Sequence, residues 1–478
     1  MNRKLKKIPS GLCGLLLCTV FLISVRPYLF RDYWFDEALT LMNFAWLDDP
    51  LCIYSSYVIP NNQILYTIAL HFWNRLPDTG LRPDFFTRLL SVVFALGTLL
   101  VLFRNFYRSC GRVPLMLALT ALAVSPPFLI YGSALRGYMA SAFFISLSAA
   151  WAVGFMKKGT AGTWWLFFAG CLMAVAAIPS NLLALGGCVL WAVSCGGDIF
   201  CQKKKIFLLC LTPFIALAAV YLPIWKSFAG VCRLGEGWQS ASGVLTAYFC
   251  AAGAVSGLLW LPCVPAVWRR RHWIKKIRYL ILILPAAAVA VLPTAPFPRV
   301  FFPLFPLLAL LTAYGIRYIV ACCVASGRKK MTGLVYCLCL CAVLLNVFLF
   351  EQPEVLRKIS DRCGGASGDD FFLGYYMRPE HCPSQTASQL TGFFAPGKLP
   401  DVYLSFNADP WPLMYYMLSR GFQAEFLFDG PCGRVAALKN GTLIIINRSE
   451  SAEAVSERFG VRLKFLFENP NHRVFIAE

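Results

Sequence analysis

The sequence is poor in charge, poorer in acid, and nearly without histidine. Only 14% of its 478 residues are charged, with 24 Asp/Glu and four His, against roughly 25% charged residues in a soluble domain. An ordinary soluble enzyme is excluded. There is no CxxC pair, and most of the twenty cysteines sit inside apolar runs (Cys13, Cys18, Cys171, Cys188, Cys337, Cys339, Cys341). A zinc ribbon and a disulfide framework are therefore not expected, and these thiols act as small apolar packers. Only Cys52, Cys232, Cys363, Cys382 and Cys432 fall where oxidation is expected to be open to them. The first apolar stretch lacks a small-residue cleavage site, so it reads as a retained signal anchor and not as a removed leader. No internal repeat or low-complexity tract is present.

What the sequence has in abundance is uncharged stretches long enough to cross a membrane, about 17–25 residues each. Eleven spans are expected, at 11–30, 86–103, 113–131, 135–156, 163–179, 181–197, 206–225, 242–267, 278–295, 299–323 and 331–350. Basic clusters fall in alternate loops: Arg104/Arg108/Arg112, Lys157/Lys158, Lys203–Lys205, Arg269–Arg271 with Lys275/Lys276/Arg278, and Arg328–Lys330. The intervening loops hold nearly all the acids before residue 351. This is the positive-inside pattern. It predicts a multi-pass protein of the bacterial cytoplasmic membrane, with a cytoplasmic N-terminus and an extracytoplasmic C-terminal domain. It also disposes of nucleic acid as a partner. The formal charge of +20 resides in these loops, while residues 351–478 hold thirteen Lys/Arg and fifteen Asp/Glu.

The expected organisation is a membrane module over 1–350, a linker over 351–370, and an α/β domain over 371–478. The first outer loop, 31–85, is too long for a bare connection. Within it Ile64, Leu65, Ile68, Ala69, Phe72 and Trp73 recur at helical spacing, with Asn61, Asn62, Gln63, Thr67 and Asn74 off the stripe. An interfacial helix is predicted there, and a second over 37–47. After residue 350, strands are predicted at 401–406, 441–447, 461–467 and 473–477, with helices at 410–420 and 449–459.

Four short segments carry the candidate chemistry. Asp36 and Glu37 leave the first span among aromatics (Trp34-Phe35-Asp36-Glu37-Ala38), where a partly dry boundary raises carboxylate basicity and suits a general base. Pro60-Asn61-Asn62-Gln63-Ile64-Leu65-Tyr66 offers amides for a polar substrate, or simple helix capping. Arg136-Gly137-Tyr138 opens the fourth span, where an Arg either snorkels or binds an anionic head group. Arg299, within Pro298-Arg299-Val300-Phe301-Phe302-Pro303, lies on the side where the positive-inside bias gives a cation no reason to be. Glu236 and Trp238 are further candidates for sugar contact.

Taken in order, these segments resemble the GT-C glycosyltransferases, in the branch of ArnT, the protein mannosyltransferases and the Rgt enzymes. Pro412-Leu413-Met414-Tyr415-Tyr416 in the tail is similar as well. Relatives often carry His-Pro where this chain has Gln63-Ile64. The resemblance implies a GT-C-like helix bundle with interfacial helices and a small C-terminal α/β domain. It implies a polyprenyl-phosphate sugar as donor and a glycan, lipid or protein as acceptor. It further implies Asp36 as base, Glu37 beside it, Arg136, Tyr138 and Arg299 on the donor phosphate, and Asn61, Asn62, Gln63 and Tyr66 on substrate. No cofactor is required, although a divalent metal shared by Asp36 and Glu37 is left open. The alternatives are a transporter or flippase of lipid-linked sugars, which should carry paired broken helices and midplane charges, and a non-catalytic membrane protein.

Overall fold

The computed structural model describes residues 10–478 apart from 58, 60–61, 78–79, 197–199, 235–239, 257–272, 293–295, 351–353, 355–357, 359–379, 396, 398 and 430–434. The chain divides into two compact units, one of residues 1–30 with 47–374 and one of residues 31–46 with 375–478. Residues 31–46, expected as part of the first outer loop, thus group with the C-terminal residues. The expected linker lies almost wholly outside the described residues, as do Glu236 and Trp238.

The larger unit is helical. In chain order it begins with α1 (Ser10–Leu29). After α2 (Phe35–Thr40), which belongs to the smaller unit, come α3 (Pro50–Ser55) and α4 (Ile64–Asn74). Next are α5 (Pro83–Cys110), α6 (Arg112–Ala123), α7 (Pro126–Ser133) and α8 (Tyr138–Lys158). They are followed by α9 (Ala161–Ala177), α10 (Asn181–Cys195), α11 (Lys203–Tyr221), α12 (Trp225–Leu234) and α13 (Ala241–Ser256). A 3-10 run over Trp273–Ile283 leads into α14 (Leu284–Val291). A second such turn, Pro298–Leu304, leads into α15 (Phe305–Ala325), and α16 (Lys329–Phe350) ends the unit.

Apolar helices fill the unit, and the expected count of eleven spans is not confirmed. Among the described residues five are long and apolar enough to cross a membrane, or six if the pair α6 and α7, bent by 62°, is one span. Several departures have a local cause, while the eighth expected span, 242–267, lies partly outside the described residues. Pro126 and Pro127, at the start of α7, lack the N–H groups that would continue α6. Helices α9 and α10 have 17 and 15 residues, short of the roughly 20 that a bilayer asks for, because Pro179-Ser180 interrupts them. The stretch expected as the ninth span is a 3-10 run with Pro285 opening a helix of only eight residues.

The smaller unit carries a five-stranded sheet of order β2-β1-β3-β5-β4. Its strands are β1 (Val402–Leu404), β2 (Phe426–Phe428), β3 (Leu443–Asn447), β4 (Leu463–Glu468) and β5 (His472–Ala477). β1 runs parallel to both β2 and β3, while β5 is antiparallel to β3 and β4. Tyr403, Ile444, Ile446, Val461 and Phe475 form its core. Around it stand α17 (Pro383–Leu390), α18 (Pro410–Ser419) and α19 (Ala452–Phe459). Helix α19 is capped as its sequence dictates: the Ser451 hydroxyl accepts from the Ala454 amide, and Gly460 takes the left-handed conformation after its last turn.

Candidate functional site

In the larger unit α4 turns its polar side inward. Asn62, Gln63, Tyr66, Thr67 and His71 are buried, while Leu65, Ile68 and Ala69 are half-buried and Phe72 is exposed. A soluble helix would do the reverse, so this arrangement suits a helix whose outer side meets lipid. The buried polar atoms tie the unit together. Asn62 Nδ2 donates to the carbonyls of Ile53 (2.6 Å) and Ser56 (3.0 Å), fixing the chain that leaves α3. Gln63 Oε1 accepts from the Gly137 amide. The Tyr66 hydroxyl pairs with Ser91 Oγ at 2.8 Å, and Ser91 Oγ reaches the Ala134 carbonyl at 2.5 Å. Asn61 lies outside the described residues.

The consequence is that the segment 134–137, the break between α7 and α8, is held from two sides. Arg136 projects from that break and is 2% exposed. Its guanidinium carbon sits 5.8 Å from the centre of the Tyr138 ring, within cation–π range. Arg299 lies in the 3-10 turn before α15, is 9% exposed, and stands 5.1 Å from the Phe297 ring. Aromatic contacts join the two segments. Phe302 meets Tyr131 at 4.8 Å and Tyr138 at 6.4 Å, and Tyr131 meets Tyr138 at 4.7 Å. Three of the four sequence segments therefore form one packed assembly inside the larger unit. Two buried guanidinium groups, each against an aromatic ring, stand in segments that this packing fixes.

The fourth segment belongs to the smaller unit. Asp36 and Glu37 lie in the first turn of α2, and they part company there: Glu37 is fully buried, whereas Asp36 is half-buried. The Glu37 carboxylate turns back to accept from the Trp34 amide at 3.2 Å, the reciprocal half of a capping box. The preceding residues are fastened to the C-terminal fold. Asp32 Oδ2 accepts from the Ser384 amide (2.8 Å), the Tyr33 amide donates to the Tyr416 hydroxyl (3.1 Å), and His381 Nε2 lies 2.9 Å from the Tyr33 carbonyl. The Tyr33 ring meets those of Tyr415 and Tyr416. The tail segment Pro412–Tyr416 thus holds the segment that carries the acidic pair.

Sequence reasoning passed over several buried polar groups. Arg88 and Asp84, four residues apart on α5, are 0% and 4% exposed, and Arg88 donates to the Leu29 carbonyl at 3.2 Å. The signal was present: a cation inside an apolar run is costly and seldom idle. His71 is buried as well. His381 faces Asp409 at 3.5 Å, a pairing that no local spacing announces.

Among the described residues no three His, Cys, Asp or Glu side chains group so as to hold an ion. Of the two carboxylates at 36–37, one is turned onto its own helix start.

Comparison with family models and with curated protein sequences gives no match. Solved structures do match over the whole chain. ArnT from Cupriavidus metallidurans bound to undecaprenyl phosphate has 13% identity and a TM-score of 0.58, covering 98% of each chain. The apo state of the same protein gives a TM-score of 0.57 and covers 97% of each chain. The Archaeoglobus fulgidus oligosaccharyltransferase, in complex with Zn and sulfate, has 9% identity and a TM-score of 0.51, covering 98% of this chain and 72% of that one. The chain therefore has the fold of the GT-C glycosyltransferases, in its ArnT-like form.

Proposed function

We propose that the protein is a membrane glycosyltransferase that moves a sugar from a polyprenyl-phosphate carrier to an acceptor hydroxyl at the outer face of the cytoplasmic membrane. The observation that carries this reading is the pair of buried arginines, Arg136 and Arg299, in two segments locked together by Tyr131, Tyr138 and Phe302. Guanidinium groups fixed by such packing can hold a phosphate through charge-assisted hydrogen bonds, and a lipid phosphate is an anion that a bundle of apolar helices can take up. A solved structure of the same fold is of ArnT bound to undecaprenyl phosphate, which supports that donor class here.

In the proposed reaction the acceptor oxygen attacks the anomeric carbon as Asp36 takes its proton. The bond between that carbon and the phosphate oxygen breaks, and the configuration inverts. The carrier phosphate leaves as an anion, so it requires positive partners more than a proton. Arg136 and Arg299 supply these, and preorganised charges of this kind are worth roughly 3–4 kcal/mol of barrier each. Glu37, by capping α2, fixes the turn from which Asp36 projects. Gln63 and Tyr66 keep the segment around Arg136 in place, with Tyr138 flanking its guanidinium.

The test is transfer by purified protein from radiolabelled undecaprenyl-phosphate sugars, pentose and hexose, to envelope glycolipid, glycan or protein. A transferase gives a radiolabelled acceptor and free carrier phosphate. A transporter or flippase of lipid-linked sugars moves the intact donor across a vesicle membrane and labels nothing.

A further inference from the structure

We propose a second anion site in the larger unit, at the opposite end of α5, α8 and α15 from the Arg136 and Arg299 segments, which takes the phosphate of a lipid head group. A cavity of about 430 Å³ opens there, lined by Lys157, Arg278 and Arg317 and by the rings of Trp191, Tyr314 and Tyr318, with no carboxylate in its lining among the described residues. Small-ligand pockets measure roughly 300–1,000 Å³. This one exceeds the needs of a bare phosphate and accommodates a glycerophosphate.

Arg278 makes it a built site and not a patch of solvated cations. It is 4% exposed and sandwiched between rings, its guanidinium carbon 4.0 Å from the centre of Tyr314 and 4.9 Å from Trp191. One amino group donates to the Ser194 carbonyl at 3.1 Å. Its Nε, and the indole Nε1 of Trp191, are buried with no hydrogen-bond partner among the described residues. Buried donors without acceptors are costly. Two of them beside one cavity, with two further cations on its wall, call for a ligand rich in acceptors and negative in charge.

The carbonyl ends of α5, α8 and α10 meet here, and they account for part of the positive charge. Arg317 donates to the Ser109 carbonyl, as Arg278 does to Ser194. That leaves Arg278 Nε and Trp191 Nε1 unexplained. A phosphate ester satisfies both, because each of its unesterified oxygens accepts charge-assisted hydrogen bonds. Of the two sources of such a group, a lipid is favoured. The cavity lies at the end bearing the basic loops, and its aromatic rings are of the kind that sit at head-group depth.

The full chain in dodecyl maltoside is titrated with dihexanoyl phosphatidylglycerol, dihexanoyl phosphatidylcholine and sn-glycerol 3-phosphate at matched ionic strength, reading Kd by calorimetry and the unfolding midpoint. Phosphatidylglycerol should bind at least tenfold more tightly than phosphatidylcholine and raise the midpoint. Arg278→Gln should abolish both effects. Lys157→Gln/Arg317→Gln, which alters only exposed side chains, should weaken binding at least fivefold with the unliganded midpoint retained. Glycerol 3-phosphate binding as tightly as phosphatidylglycerol, and equally lost in the variants, would support the site and assign it to soluble phosphate esters. Equal binding of the two lipids, or binding that the variants leave unchanged, overturns the proposal.

Discussion

Gln63 accepts a hydrogen bond from the backbone amide of Gly137, and a β-carbon at Gly137 would lie 2.9 Å from the same Gln63 oxygen and 3.2 Å from Tyr66 Cβ. The start of α4 and the break before α8 are therefore in contact at a point too tight for a larger residue unless its neighbours give way. Gly137→Ala should push the two apart. Overpacking of this kind costs roughly 1–3 kcal/mol, and a displaced Arg136 should lower transfer at least tenfold while the protein still folds. Parallel measurement of transfer and of the unfolding midpoint checks this, and full activity in Gly137→Ala would show that the contact does not position the arginine.

The two neighbouring carboxylates should respond differently to amide substitution. Glu37→Gln keeps an oxygen that can accept from the Trp34 amide, so it should cost less than about 1 kcal/mol, the ordinary value of an N-terminal cap, and leave most activity. Glu37→Ala should cost more, since it also empties a buried site. If Glu37→Gln were as inactive as Asp36→Asn, the carboxylate of Glu37 would have a chemical role beyond capping.

The Tyr33 amide to Tyr416 hydroxyl bond gives a local prediction. Tyr416→Phe removes one acceptor while keeping the ring against Tyr33, a loss of about 1 kcal/mol. Hydrogen exchange should rise in the peptide spanning 31–46 and stay unchanged in β3 and β5. Uniform deprotection of the whole smaller unit would contradict the idea of a local tether.

His472 sets an acid limit on the smaller unit. Burial holds its imidazole down to about 4, while its two nitrogens face Thr386 Oγ1 at 2.7 Å and the Ala408 carbonyl at 3.0 Å. A depressed basic group contributes stability that is complete above its unfolded value of about 6.5. The unfolded state binds the proton first as pH falls, so stability is lost between about 6.5 and 4 and levels off below. The full loss is on the order of 3 kcal/mol, from about 1.4 kcal/mol per pH unit. Exchange protection of residues 440–478, followed from pH 7 to 4, should fall in the native protein and fall less steeply in His472→Asn.

What the sequence disclosed follows from the range of its signals. Apolar length and the alternation of basic loops are local, and they announced a membrane bundle. Early Glu450 and Glu453, late Arg458 and the following Gly460 announced a helix over 449–459, and α19 lies within it. The strand Phe426–Phe428 went unread. The count of eleven spans is not confirmed where breaks such as Pro179-Ser180 leave α9 and α10 with 17 and 15 residues, although both are apolar. At the site, the sequence picked out Arg136, Tyr138 and Arg299 by their position at helix starts. It did not show that Gln63 binds a backbone amide or that Asn62 secures α3, because both partners are known only once the chain has folded.

The central claim is that Asp36 is the base in transfer from a polyprenyl-phosphate sugar. The direct measurement is the single-turnover rate of radiolabelled sugar transfer by purified wild type, Asp36→Asn and Arg299→Ala at saturating undecaprenyl-phosphate donor. The account expects Asp36→Asn to lose on the order of 10²–10⁴-fold, the range of a positioned general base, with donor Kd unchanged, and Arg299→Ala to raise donor Kd as well as slow transfer. Wild-type transfer rates in Asp36→Asn would contradict it.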